Sequence, residues 1–218
     1  MKPPMKPRVV RATLITLIGV SITFAAWLAN SSAKSQQQDR VVLRKPWPVE
    51  LVRVVGIKTK NKGKVEIGKS FDEDDDWLDG FTVTVVNNYD KTVTAMTVSM
   101  IFRREAGDTR PPLAKDLHFG PSPSDREYLR RDPNKVIRVG ESVDLPLSAE
   151  NYKSLKRDFE QTGYRNTIKR VELVIIEVGF EDGSVLDNGT LYLQDPANPN
   201  DPTKKIRAPK RLGAYTKE

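Results

Sequence analysis

An acidic run in the middle of the chain has the residue types that a cation site needs. The run is Asp72-Glu73-Asp74-Asp75-Asp76, and Asp79-Gly80 follows it closely. Calcium binds about six to eight oxygen atoms, and alternating carboxylates in a loop that glycine closes often supply them. The alternation therefore predicts a calcium site with four ligands, Asp72, Asp74, Asp76 and Asp79.

The same run has a second interpretation that involves no metal. The EF-hand register is absent, because Trp77 and Leu78 stand where the glycine turn should come and no glutamate follows at the closing position. The run is then a solvated acidic loop that leads into a strand, and Trp77 and Leu78 pack at the edge of the core. The sequence leaves both interpretations open.

Residue types that perform catalysis are scarce. His118 is the only histidine and cysteine is absent, which excludes multi-histidine zinc sites and thiol chemistry. No GxSxG motif presents a nucleophile, so we expect His118 to be an ordinary surface residue. Glu181, Asp182 and Asp187 could be read as a carboxylate pair for glycoside hydrolysis, but the backbone geometry of turns between strands is enough to explain them. The expected protein is not an enzyme.

The positive net charge of +7 is concentrated at the two ends of the chain. Residues 1–33 contribute +4 and residues 203–218 contribute +5, so residues 34–202 carry a net charge of −2. Proteins that bind nucleic acid place their basic patch on a folded face. We therefore expect no nucleic-acid partner.

The N-terminal segment 1–33 is predicted to be a signal peptide or a membrane anchor. Four basic residues come first, and residues 12–33 contain no charge. The small residues Ser31-Ser32-Ala33 could form a cleavage site, whereas about 20 mostly apolar residues are also enough to span a membrane. Either alternative places the rest of the chain outside the cytoplasm, and an uncleaved segment makes the membrane a partner.

The elements that position the acidic run are predicted to be strands. A polar spacer at 34–40 precedes a β-sandwich domain at 41–195, and a flexible basic tail follows at 196–218. Alternating apolar residues predict a hairpin of strands 81–86 and 92–102, and the apolar run 170–180 predicts a central strand.

Two further segments complete the predicted domain. The proline-rich stretch 103–134 lacks periodicity and is predicted to be a long connection. A helix is predicted to begin at Ser148, to place Tyr152, Leu155 and Phe159 on one face and to end at Gly163. The predicted fold is mainly β: an antiparallel immunoglobulin-like two-sheet sandwich with one short α-helix, preceded by an N-terminal hydrophobic helix.

Short motifs in these strands resemble those of secreted bacterial proteins and of the FxLYD-type immunoglobulin-like modules. Asn87-Asn88 ends one strand, Lys91-Thr92-Val93 begins the next, and Gly140-Glu141 opens a later one. Met100-Ile101-Phe102-Arg103 stands in place of the FxLYD sequence itself. The resemblance implies an extracytoplasmic β-sandwich without catalysis or a family active site.

These observations together predict an exported, non-enzymatic module that has an interaction or structural role at the cell envelope, with a protein or glycan partner. The alternative is a calcium-dependent binding module or an accessory domain of envelope glycan processing. No cofactor is expected apart from the calcium of the first interpretation.

Overall fold

The computed structural model describes residues 38–47, 50–104, 107–121, 134–164, 168–198, 201 and 204–208. The leader predicted at 1–33 lies outside these residues. In the described ranges, no helix is long and apolar enough to cross a membrane. The described elements are β1 (Gln38–Arg44), β2 (Val52–Thr59), β3 (Gly63–Val65), β4 (Ser70–Glu73), β5 (Thr82–Asn87), β6 (Val93–Phe102), β7 (Leu113–Phe119), β8 (Ser142–Pro146), α1 (Ala149–Gln161), β9 (Arg170–Phe180), β10 (Val185–Asp187), β11 (Thr190–Gln194) and β12 (Lys205–Arg207).

The strands form two sheets. In the larger sheet, the order runs from β12 through β11, β10, β9 and β1 to β4, and β6 and β7 extend it from the other edge of β9. The smaller sheet has the order β3-β2-β5-β8. Most pairs are antiparallel, and β1 runs parallel to β9. The prediction of a mainly β fold with two sheets is confirmed.

The hydrophobic core contains alternate side chains from both sheets. Val83 and Val85 of β5 belong to the same buried cluster as Met96 and Val98 of β6. This is the arrangement that a period of two residues produces, because successive side chains of a strand point to opposite faces. β9 is buried along most of its length, as predicted from a sequence that is apolar on both faces for much of its length.

The predicted hairpin of β5 and β6 is wrong, because the two strands lie in different sheets. β5 pairs with β2 and β8, whereas β6 pairs with β7 and β9. The buried side chain of Asn87 binds the segment in which the chain passes from one sheet to the other. Its Nδ2 donates to the carbonyl oxygens of Lys91 and Ile137 at 2.8 and 3.0 Å. A side-chain amide here replaces the ladder bonds that a hairpin would have made.

Strands also occur where the sequence predicted irregular chain. β7 lies inside the predicted connection 103–134 and pairs with β6 from Phe119 to Leu113. β1 begins inside the predicted spacer 34–40, and β12 lies inside the predicted flexible tail. β12 pairs antiparallel with β11, and Gln194 of β11 donates from Nε2 to the carbonyl oxygens of Asn198 and Asp201 at 2.9 and 2.7 Å.

The helix α1 has the boundaries that its sequence predicts. Ser148 is the N-cap, and its hydroxyl accepts a hydrogen bond from the backbone NH of Asn151 at 3.1 Å. Leu155 and Phe159 are buried against the core. Gly163 follows the helix with φ +62°, a backbone conformation that glycine adopts without strain.

Candidate functional site

The acidic loop, residues 72–80, is a compact turn with a defined backbone. The backbone NH of Asp79 donates to the carbonyl oxygen of Asp76 at 2.8 Å, and Oδ1 of Asp74 accepts from the NH of Asp76 at 3.0 Å. Gly80 has φ +73° and leads into β5. The loop therefore presents its carboxylates from a fixed backbone.

One side of the acidic loop is part of the core. Trp77 and Leu78 are 0% and 1% exposed. The Trp77 ring packs edge-on against Phe71 and Phe81, with centroid distances of 5.4 and 5.6 Å, and its Nε1 donates to the carbonyl oxygen of Ile168 at 3.0 Å. The packing of Trp77 and Leu78 agrees with the second interpretation of the run.

A buried arginine on β1 donates hydrogen bonds to the acidic loop. Arg40 is 0% exposed, and its guanidinium donates to Oδ1 of Asp75 at 2.6 Å and to the carbonyl oxygen of Ile168 at 2.7 Å. A longer bond of 3.3 Å reaches the carbonyl oxygen of Asp74. The Nε of Arg40 is buried with no hydrogen-bond partner among the described residues. A buried cation thus depends largely on one carboxylate, since charges in the interior need a partner.

Two side chains of α1 hold the next carboxylate of the loop. Oδ1 of Asp76 accepts from the hydroxyl of Tyr152 at 2.6 Å and from Nζ of Lys156 at 3.0 Å. These two bonds lower the pKa of Asp76 below its ordinary value. Burial, followed by the bond to Asp76, raises the pKa of Tyr152 well above its ordinary value. At neutral pH the aspartate is therefore charged and the tyrosine protonated.

The remaining carboxylates of the loop have other partners. Asp79 binds Nζ of Lys60 at 2.9 Å, which raises the pKa of that lysine. Oδ2 of Asp74 accepts from Asn61 at 3.2 Å. The buried carboxylate of Glu73 accepts from the Thr59 hydroxyl at 2.6 Å and also from Asn61, at 2.9 Å. The loop is thus stabilised by side chains that approach it from several elements.

The four predicted calcium ligands are therefore not assembled around one point. Asp74 binds Asn61, Asp76 binds Tyr152 and Lys156, and Asp79 binds Lys60, whereas Asp72 is exposed on β4. Within the described ranges, no three acidic, histidine or cysteine side chains are grouped so that they could hold a metal ion. Calcium binding by the loop stays a prediction for solution measurement.

A cleft of about 310 Å³ lies between the acidic loop and α1. Carboxylates and a lysine form its rim and apolar side chains form its floor. Nζ of Lys156 lies over the Tyr152 ring, 5.6 Å from the ring centroid. The lining residues are Asp75, Asp76, Leu78, Tyr152, Lys156, Phe159, Glu160 and Ile168.

The other polar residues with possible catalytic chemistry lie elsewhere. His118 is exposed on β7, with Nδ1 3.3 Å from the Thr97 hydroxyl. Asp182 binds Lys91 and accepts from the backbone NH of Ser184 at 3.0 Å, which is a turn interaction. Asp187 ends β10.

Three residues of the site had no signal in the sequence that linked them to the acidic loop. Arg40 stood in the predicted spacer, and Tyr152 and Lys156 stood on a helix about 80 positions further along, as the sequence separations of 76 and 80 show. The spacing of four between Tyr152 and Lys156 does place them on one helix face. Comparison of the chain with protein-family models, curated proteins and solved structures finds no match.

Proposed function

We propose that the chain is an exported, non-enzymatic, immunoglobulin-like β-sandwich that acts as an interaction module at the cell envelope, with the cleft beside the acidic loop as its contact surface. Three features support the proposal. The leader predicts export, the two-sheet architecture suits a scaffold, and β5 and β6 switch sheets as consecutive strands of immunoglobulin sandwiches do.

The observation that carries the proposal is the way the polar groups of the cleft are held. Asp76 is fixed by Tyr152 and Lys156, and Asp75 by Arg40, over an apolar floor. General acids and bases work with a pKa near the operating pH. Here the pKa of Asp76 is lowered and that of Tyr152 raised, so both shifts lead away from neutral pH. A fixed, charged surface of this kind supports binding rather than proton transfer.

The contact surface can be tested with a pair of steric variants in the native cells. Glu160 lies on the rim of the cleft and is exposed, so Glu160→Trp blocks the cleft without disturbing the core. Glu181→Trp is the matched control. Ile168 of the cleft precedes β9, whereas the exposed Glu181 follows the other end of that strand. The 11 residues of β9 separate the two ends by about 35 Å.

The measurement is the native size of the protein in gently solubilised envelope extracts. We expect the unchanged chain and the control variant Glu181→Trp to elute in a complex, and Glu160→Trp to elute near the size of the free chain. Equal elution of Glu160→Trp and the unchanged chain in a complex would show that the cleft is not the contact surface.

Export is tested separately by fractionating the cells and sequencing the N-terminus of the mature protein. A start at Lys34 in the soluble extracytoplasmic fraction indicates a cleaved signal, and an intact Met1 in the membrane fraction indicates an anchor. Recovery of the intact chain in the cytoplasm contradicts the proposal.

A further inference from the structure

The wall of the cleft presents carboxylate oxygens that the fold itself leaves open. Arg40 binds Oδ1 of Asp75, and Tyr152 and Lys156 bind Oδ1 of Asp76. Within the part of the chain that the structure describes, neither Oδ2 atom has a hydrogen-bond partner. The side chains of Asp75 and Asp76 are 58% and 64% exposed. Each carboxylate is thus oriented by a cation of the same chain and can still accept a hydrogen bond from a ligand.

The floor of the cleft suits an aliphatic chain. Its apolar lining residues are Leu78, Phe159 and Ile168. Lysine and arginine carry a long apolar stem with a charged head, and they bury the stem along apolar surface while the head stays at the polar edge. A basic side chain that enters the cleft can therefore contact both the floor and an open Oδ2 atom.

The charge around the cleft favours a cation. Asp75 and Asp76 line the cleft as carboxylates, Lys156 lines it as a cation, and the buried Arg40 pairs with Asp75. Glu160 adds a further negative charge on α1. Surfaces of opposite charge attract each other and exclude partners of like charge. An anionic ligand is therefore disfavoured.

We propose that this cleft binds a basic, amphipathic peptide segment of a protein partner, with lysine or arginine heads on Asp75 and Asp76 and apolar side chains on the floor. The inference rests on the proposed function and names the chemistry of its partner. The size of about 310 Å³ fits a few side chains rather than a single ion.

The test uses the purified chain and a fluorescein-labelled decapeptide of lysine, leucine and alanine, with binding followed by fluorescence anisotropy. A decapeptide in which glutamate replaces every lysine is the charge control. Glu160→Lys reverses a charge at the rim, and Glu181→Lys makes the same change at the far end of β9. Both residues are exposed, and the melting temperature of each variant confirms that it folds.

We expect the basic peptide to bind the unchanged chain and the acidic peptide not to bind. Glu160→Lys should weaken binding about tenfold and Glu181→Lys less than about twofold, and added salt should weaken binding as well. Equal weakening by the two variants, or binding of both peptides alike, would refute the inference. Binding of cellohexaose without binding of the basic peptide would refute it too, and would indicate a glycan partner.

The two proposals fail in different ways. If Glu160→Trp dissociates the native complex but the basic peptide does not bind, the cleft is a contact surface and only the partner chemistry is wrong. If Glu160→Trp leaves the native complex intact, the contact surface itself is wrong.

Discussion

The buried pair of Arg40 and Asp75 predicts an unusual order of mutational effects. Arg40 is 0% exposed, whereas the Asp75 side chain is 58% exposed. Removing the exposed partner leaves a buried cation without its carboxylate, and removal of one partner of a buried pair costs about 3–5 kcal/mol. The carbonyl oxygens of Ile168 and Asp74 still accept from Arg40, so we expect Asp75→Ala to lower the free energy of unfolding by about 2 kcal/mol.

Replacing the arginine itself should cost less. Arg40→Met fills a similar volume, and substitution of buried charges by apolar residues is often close to neutral. The carbonyl oxygen of Ile168 keeps a donor, because Nε1 of Trp77 also binds it at 3.0 Å, and Asp75 turns to water. We therefore expect Arg40→Met to cost less than about 1 kcal/mol, whereas Arg40→Ala adds a cavity and costs about 3 kcal/mol.

Equilibrium unfolding in urea at neutral pH measures these differences, with Asp72→Ala as an exposed control from the same loop. The double variant Arg40→Met with Asp75→Ala should be about as stable as Arg40→Met alone, because the aspartate then has no cation to compensate. If Arg40→Met destabilises the fold more than Asp75→Ala does, the argument that the buried guanidinium is the costly member of the pair is refuted.

Three further predictions concern the loops and turns. Asp76→Asn should lower the free energy of unfolding by about 1 kcal/mol at neutral pH. Since the pKa of Asp76 is lowered in the folded chain, this difference should shrink as the pH falls below the ordinary value of 3.8. Urea unfolding at neutral pH and below that value checks it. Gly189→Ala should cost more than Gly183→Ala in the same assay. Both have positive φ, but only at Gly189 would a Cβ lie 2.8 Å from the Trp47 ring, and equal costs would contradict the contact. Millimolar calcium should leave the melting temperature of the chain unchanged relative to chelator, because Asp75, Asp76 and Asp79 are paired with three different cations of the chain and so do not converge on one ion, and a rise with calcium would support the metal interpretation.

Local sequence patterns predicted the elements well where one segment alone determines them. The helix follows from the cap at Ser148 and the apolar stripe of Leu155 and Phe159, all of which lie within one segment. The period of two identified β5 and β6 as strands, but a strand's alternation specifies its buried face and not its neighbour. The pairing depended on Asn87, whose long-range bond to Ile137 has no signature in the sequence.

The candidate site was only half predictable for the same reason. The composition of the chain identified the acidic loop, and the bulky pair Trp77 and Leu78 predicted that its far side would be buried. The partners of its carboxylates come from β1 and α1, and only the tertiary fold brings them together. Arg40 was the hardest to foresee, because a short polar segment gives no indication that its arginine is buried.

The most direct test of the account is site-specific photo-crosslinking in the native cells. A photoreactive amino acid at position 160 lies on the rim of the cleft, and the same amino acid at position 181 serves as the control. We predict a discrete crosslinked partner from position 160, attached through a basic segment that mass spectrometry identifies, and none from position 181. A partner crosslinked from position 181 and not from position 160 would contradict the assignment of the cleft as the contact surface.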